Sequence, residues 1–182
     1  NNSYEKTPIL ATEDLIALIS NENEIENIET VIYSFGLIKT ENDFLGIQLK
    51  GVENSYNWDF LKQHLIQGGD VNSDVCSEVS DNKWCATILI SSTIASKLKV
   101  DIGEKLRIYF PHDGNSRIVR PFIVSGIYNT GIQEIDDNFT LVNINKLREI
   151  KAKNSIVWKD TLHVERLEVT ISDFSKIDQV TE

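Results

Sequence analysis

The stretch ILISSTIASKLKVDIGEKLRIYF, residues 88–110, sets two adjacent serines, Ser91 and Ser92, between a β-rich run and a helical pattern. A serine on a strand-to-helix corner is where a hydrolase places its nucleophile, and equally where a helix places its cap. The hydrolase elbow needs glycines beside the serine, because its strained turn leaves no room for side chains. The neighbours here are Ile90 and Thr93. The serines are therefore expected to cap a helix, accepting a backbone N–H worth about 1 kcal/mol.

Other groups offer chemistry of their own. Glu134, Asp136 and Asp137 in QEIDDN are carboxylates that could ligate calcium or act as an acid/base pair. They lack the glycine and distal glutamate of a calcium loop, so a solvated turn is expected. VDIGEKL carries one glycine, Gly103, with Lys105 after it. A phosphate loop needs two glycines, then lysine and a hydroxyl residue at a helix start. This segment leads into a strand, so Gly103 reads as a turn residue at positive φ.

Cys76 and Cys85 bracket SEVSDNKW. They either close that loop as a disulfide in an oxidising compartment or remain free thiols, one near Trp84, and the residues leave both open. A zinc site would need further ligands, and His64, His112 and His163 are scattered. Trp58, Trp84 and Trp158 are spread along the chain and read as core. Asn138-Phe139-Thr140 and Asn1-Asn2-Ser3 match a glycosylation sequon that matters only in a eukaryotic secretory chain. No catalytic, cofactor-binding or metal-ligating set is expected.

The elements that must position these residues follow from composition and periodicity. With 182 residues, 41% hydrophobic and 25% charged, the chain can bury a core. A net charge of −10 argues against nucleic acid and against basic docking on anionic lipid. No apolar run reaches the roughly 20 residues that cross a bilayer, and no signal-peptide pattern is present. The chain contains no methionine and ends in DFSKIDQVTE, which reads as a helix begun and unfinished. Both suggest a piece cut from a longer protein.

From Thr12, TEDLIALISNE reads as a capped amphipathic helix. Residues 28–40 and 43–52 alternate as a hairpin, and residues 57–66 read as a helix closed by Gly68 and Gly69. A polar loop over residues 70–83 precedes a strand at 87–90, a helix at 92–98 and a strand at 105–110. IVRPFIVSGIYN is a strand with Pro121 as an edge or bulge signal. NFTLVNI is strand-like, and NINKLREIKA is a helix capped near Asn143 or Asn145. TLHVERLEVTI alternates with one slip near Glu165, which suggests a bulge. Short helices interleaved with paired strands give an α+β class with mixed sheets.

Taken in order, GLIKTENDFLGIQLKGV, YNWDFLKQHLIQGG, residues 88–110, RPFIVSGIYNTGIQEIDDNFTLVNINKL and LEVTISDFSKID form one series. The series resembles the extracytoplasmic domain of bacterial ABC-transporter permeases of the MacB/LolC/LolE/FtsX type. The likeness is greatest to LolC/LolE-like lipoprotein-releasing members and covers about residues 10–175. Its most specific blocks, ILIS…A..L…GEKL and F.VSGIY.TG..E.D, are fold signatures and not catalytic motifs.

The resemblance implies a two-lobed mixed α/β domain of the kind called Porter and Sabre, with lobes at 1–52 plus 127–182 and at 53–126. It implies a place between two transmembrane helices, on the periplasmic face of the bacterial inner membrane. A separate cytoplasmic ATP-binding subunit would drive a second permease protomer and this one together, and this non-catalytic domain would pass the motion to a lipoprotein-like substrate. A periplasmic carrier or outer-membrane partner would complete the set, and no residue of this chain would bind ATP. An oxidising periplasm favours the Cys76–Cys85 bridge. In lipoprotein-releasing members a hairpin hook captures the carrier. Its positional counterpart here is Pro111, His112, Asp113, Gly114, Asn115, Ser116 and Arg117, several residues shorter than such a hook and readable as an ordinary polar turn. Beside this reading stand a soluble periplasmic hydrolase built on Ser91 or the Glu134–Asp137 carboxylates, and a passive sensing or adhesion domain.

Overall fold

Alternation of side chains builds the frame. Leu106, Ile108 and Phe110 are buried while Lys105, Arg107 and Pro111 between and beside them are exposed. Such a period of two makes one face of a strand apolar, and that face must find a partner. In the computed structural model, which describes residues 8–22, 24–39, 44–72, 76, 84–111, 116–153 and 155–172, the partner is a curved sheet wrapped around those side chains.

In chain order the described elements are β1 (Ile9–Leu10), α1 (Glu13–Ser20), β2 (Ile25–Lys39), β3 (Phe44–Val52), α2 (Asp59–His64) and β4 (Leu65–Gly68). Then follow β5 (Thr87–Ser91), α3 (Ser92–Leu98), β6 (Lys105–Pro111), β7 (Arg117–Tyr128), α4 (Gln133–Asn138) and β8 (Phe139–Asn143). The rest are α5 (Ile144–Lys151), a 3-10 turn (Ile156–Lys159), β9 (His163–Val164) and β10 (Arg166–Ile171). β1 pairs with β9, and the other strands form one eight-stranded mixed sheet in the order β10-β2-β3-β8-β5-β7-β4, with β6 bridging β2 and β7.

That bridge closes a ring. From β2 the ladders run through β3, β8, β5, β7 and β6 and return to β2. Closure removes free edges along this path. The seam is short: β6 meets β2 only at Tyr109 opposite Leu37 and Ile108 opposite Ile38. Ile38, Ile47, Leu49, Ile88, Ile90, Ile108, Phe110, Phe122, Val124 and Val142 belong to one buried cluster inside it. Ile94 and Ala95 of α3, and Ile144, Leu147 and Ile150 of α5, join the same cluster and plug the ring. A smaller cluster of Val52, Trp58, Leu61, Val71, Leu89, Tyr128 and Leu141 packs separately.

The caps follow the sequence. Leu15 N–H donates to Thr12 at 3.2 Å, and Asn145 N–H donates to Asn143 at 3.0 Å. Two expectations change. The helix read over 57–66 spans only Asp59–His64, and the chain then turns into β4, which pairs with β7. Gly68 has φ of +80° and lies where any Cβ would meet the Ser125 carbonyl, so it is a strand-end close approach and not a helix cap. QEIDDN is a helix, α4, where a solvated turn was expected. Pro121 pairs with Arg107 of β6 and precedes the ladder with β5, which starts at Ile123, so its missing N–H is not needed on that side.

Candidate functional site

Ser91 ends β5 and caps α3, and its side chain is fully buried. Its hydroxyl oxygen accepts from Ile94 N–H at 3.0 Å, while its O–H donates to the backbone carbonyl of Asp136. Both functions of the hydroxyl are thus committed to tying α3 against α4. Among the described residues no imidazole bonds to it, so none of them activates it as a nucleophile.

Asp136 is nearly as buried, at 5% exposure. Its carboxylate accepts from Thr130 N–H at 3.1 Å, from the Thr130 hydroxyl at 2.9 Å and from Gly131 N–H at 3.0 Å. It pins the turn between β7 and α4. Asp137 faces the other way and accepts from the Lys97 ammonium at 2.7 Å. Hydrogen bonds from Lys97 and then Gln133 hold its carboxyl below the usual carboxylate range. Glu134 is exposed. The three acids brought together by sequence therefore point apart, Asp136 into the turn, Asp137 to Lys97 and Glu134 to the surface.

The structure assembles a second polar group that the sequence did not announce. Lys151 of α5 lies 2.6 Å from Glu165, with side chains only 9% and 10% exposed. The other oxygen of Glu165 accepts from Tyr33 N–H at 2.9 Å. Glu168 of β10 accepts from the Tyr33 hydroxyl and the Lys50 ammonium, both at 2.6 Å. Arg148 reaches Glu53 at 3.2 Å. Burial and then the bond to Glu168 push the Tyr33 phenol well above its ordinary value. Burial pulls the Lys50 ammonium down, but its bonds and charges from Glu168 and Tyr56 outweigh this and leave it raised.

These contacts rivet β10 and α5 to β2 and β3. The only trace in sequence is the slip at Glu165, where an acid interrupts the alternation between β9 and β10. In the structure that slip is a bend between β9 and β10 and not a bulge, since the register of β10 against β2 shifts only between Thr170 and Ile171; at the bend Glu165 reaches Lys151 and Tyr33.

Cys76 and Cys85 are joined by a disulfide with Cα atoms 5.7 Å apart. Trp84 beside it donates its indole N–H to the Pro121 carbonyl at 3.0 Å and packs edge-on against Phe122. Trp58 and Trp158 lie in the two buried clusters. Of the hook counterpart, Pro111 and Arg117 are opposed residues at the ends of β6 and β7, and Ser116 just precedes β7. His112, Asp113, Gly114 and Asn115 lie outside the described residues. No group of three or more His, Cys, Asp or Glu suited to a metal occurs among the described residues, and no described helix is long and apolar enough to cross a membrane.

No family model and no curated protein sequence matches the chain. Solved structures do. The fold is similar to the extracellular domain of the noncanonical ABC-type transporter YknZ from Gram-positive bacteria, with a TM-score of 0.56 and 18% identity over 95% of this chain and 78% of that one. It is similar also to the periplasmic region of MacB from Actinobacillus actinomycetemcomitans, with a TM-score of 0.52 and 18% identity over 96% of this chain and 72% of that one. The chain thus has the mixed α/β fold of MacB-like periplasmic domains.

Proposed function

We propose that this chain is the non-catalytic extracytoplasmic domain of an ABC-transporter permease, coupling ATP-driven motion in the membrane to export or release of a lipoprotein-like substrate. The observation that carries the reading is the likeness of nearly the whole chain, 95% and 96% of it, to two transporter domains. In this reading a cytoplasmic ATP-binding subunit and a second permease protomer act with it across the inner membrane. The lobes proposed at 1–52 with 127–182 and at 53–126 are joined by the ring and its buried cluster, so they would be carried together as the permease moves.

The closed ring and the ion pairs fastening β10 suit such work. Coupling over distance needs packed elements that shift as bodies, not a soft tether. Substrate specificity of the LolC/LolE kind belongs to the same proposal, with residues 111–117 as the carrier-facing loop. The hydrolase reading has no observation in its favour, since Ser91 spends its hydroxyl inside the fold.

The decisive experiment reads the gene around this segment and purifies the product in detergent with its neighbours. Hydrophobic spans of about 20 residues on both sides, and a co-purifying ATPase, are the expected result. Lack of a span on either side would overturn the reading. A pull-down with periplasmic carrier then tests the finer claim: replacing residues 111–117 should abolish capture, and equal capture would dismiss the loop.

A further inference from the structure

A cleft opens at the seam of the ring, where β2 and β6 part. The two strands share only the pairs Leu37–Tyr109 and Ile38–Ile108, whereas β6 follows β7 along its whole length from Lys105. Beyond Ile38 the strands diverge and leave a cavity of about 470 Å³. That volume falls within the roughly 300–1,000 Å³ typical of small-molecule sites.

The floor of the cleft is apolar. Half-buried Leu98 at the end of α3, half-buried Val100 after it and half-buried Tyr109 of β6 line it, over Ile38 and Leu106, which are 3% and 4% exposed and packed in the ring interior. The mouth is cationic: Lys39, Lys105 and Arg107 line it and are all exposed. No carboxylate lines it among the described residues. Lys50, Lys97, Lys146, Arg148 and Lys151 each sit on a described acid, whereas no ion pair joins any of these three to a described acid. In a chain of net charge −10, three unpaired cations around one apolar slot are a local reversal.

That combination selects its ligand by chemistry. An anion alone would meet the cations but leave the apolar floor wet. An uncharged apolar molecule would cover the floor and gain nothing from the rim. A charged head joined to a hydrocarbon tail uses both, with charge-assisted bonds at the mouth and apolar area removed from water below.

We propose that the seam cleft binds a single-chain amphiphilic anion, a carboxylate or phosphate head group carrying a hydrocarbon tail. Lys39, Lys105 and Arg107 hold the head, and Leu98, Val100 and Tyr109 hold the tail. The inference stands on the cleft itself and does not depend on the transporter reading.

The test titrates the 15N-labelled 182-residue chain with dodecanoate and with dodecyl phosphate, below micelle formation, and follows amide shifts. Dodecyl maltoside and inorganic phosphate serve as the uncharged and tail-less comparisons. Saturable shifts confined to the cleft are expected with at least one of the two anions, and both comparisons should bind about tenfold more weakly or worse. Binding of dodecanoate alone identifies a fatty-acid carboxylate as the head group, and dodecyl phosphate alone identifies a phosphate monoester.

Lys105→Glu with Arg107→Glu should weaken binding by about tenfold or more. Should the double reversal lower the melting temperature, Lys105→Gln with Arg107→Gln reads the same comparison. The proposal is overturned by equal binding of dodecyl maltoside or of inorganic phosphate, by shifts centred elsewhere, by no saturable binding of either anion, or by affinity unchanged in the folded double variant.

Discussion

The Lys151 ammonium and the Glu165 carboxylate lie 2.6 Å apart in a site almost closed to water. Lys151 also sits over the Trp158 ring, 5.0 Å from its centroid, and Glu165 holds the Tyr33 amide. Removing one member of such a pair leaves the other buried and uncompensated. Lys151→Met should therefore cost about 3–5 kcal/mol. Glu165→Leu should cost more than Lys151→Met, because it strands the ammonium and the Tyr33 amide together. Urea unfolding of the two variants compares them directly, and an equal or reversed order would show that Tyr33 finds another acceptor.

The bridge between Cys76 and Cys85 closes a loop of sequence separation 9. Constraining a loop of that size in the unfolded chain contributes about 2–3 kcal/mol. Reduction, or Cys76→Ser with Cys85→Ser, should lower the melting temperature while the far-ultraviolet circular dichroism stays that of the native fold. Identical melting with and without reductant would show that the bridge contributes no net stability.

Gly126 lies where β7 passes the chain after β4. A Cβ there would run into the Gly69 carbonyl, and backbone cannot step aside as a side-chain tip can. Gly126→Ala should destabilise by about 1–3 kcal/mol. Gly69→Ala is the matched comparison, since nothing lies within 4 Å of its Cβ position. It should change stability by less than about 1 kcal/mol.

Four groups hold their protons more tightly folded than unfolded: Tyr33, Tyr56 and Tyr128, each raised first of all by burial, and Lys50, raised against burial by Glu168 and Tyr56. The sign is the same for all. Their contribution is complete below the unfolded values, near 10 to 10.5, and is lost as pH climbs from there through the folded values. Unfolding midpoints in urea should be flat from neutral pH to about 9 and fall steeply above about 10. In the Lys50→Met variant the alkaline fall should be shallower.

The legible parts of this chain were the local ones. Thr12, Ser91 and Asn143 each cap the helix that the sequence assigned to them, because a cap is decided within four residues. The hairpin of β2 and β3 and the interruption at Glu165 were legible for the same reason, although the ladder irregularity of β10 lies at Thr170 and Ile171. What failed depended on distant partners. Leu65 and Ile66 continue a helical composition, but the pairing of β4 with β7 captures them. Asp136 sits in an acidic run that reads as solvated, yet Thr130 and Gly131 supply three donors that draw it inside.

The candidate sites divide in the same way. That Ser91 is a cap and not a nucleophile could be read from its neighbours alone. The riveting of Glu165 and Glu168 to Lys50 and Tyr33 could not, since it joins residues more than a hundred positions apart, as with Tyr33 and Glu165 at a separation of 132. The cleft at Lys39, Lys105 and Arg107 was equally hidden, because each residue alone is an ordinary exposed cation on an alternating strand.

A hoop is as strong as its clasp. Most ladders of the ring run for five to nine residue pairs, while β2 and β6, like β8 and β5, are clasped by two. Under load the barrel would part at one of these two short joins, into an open sheet, before the longer ladders gave way. The amides beside them would then be among the first to trade their hydrogens for deuterium. Anything seated at the seam, with its charge gripped by both strands, would act as a pin through the clasp.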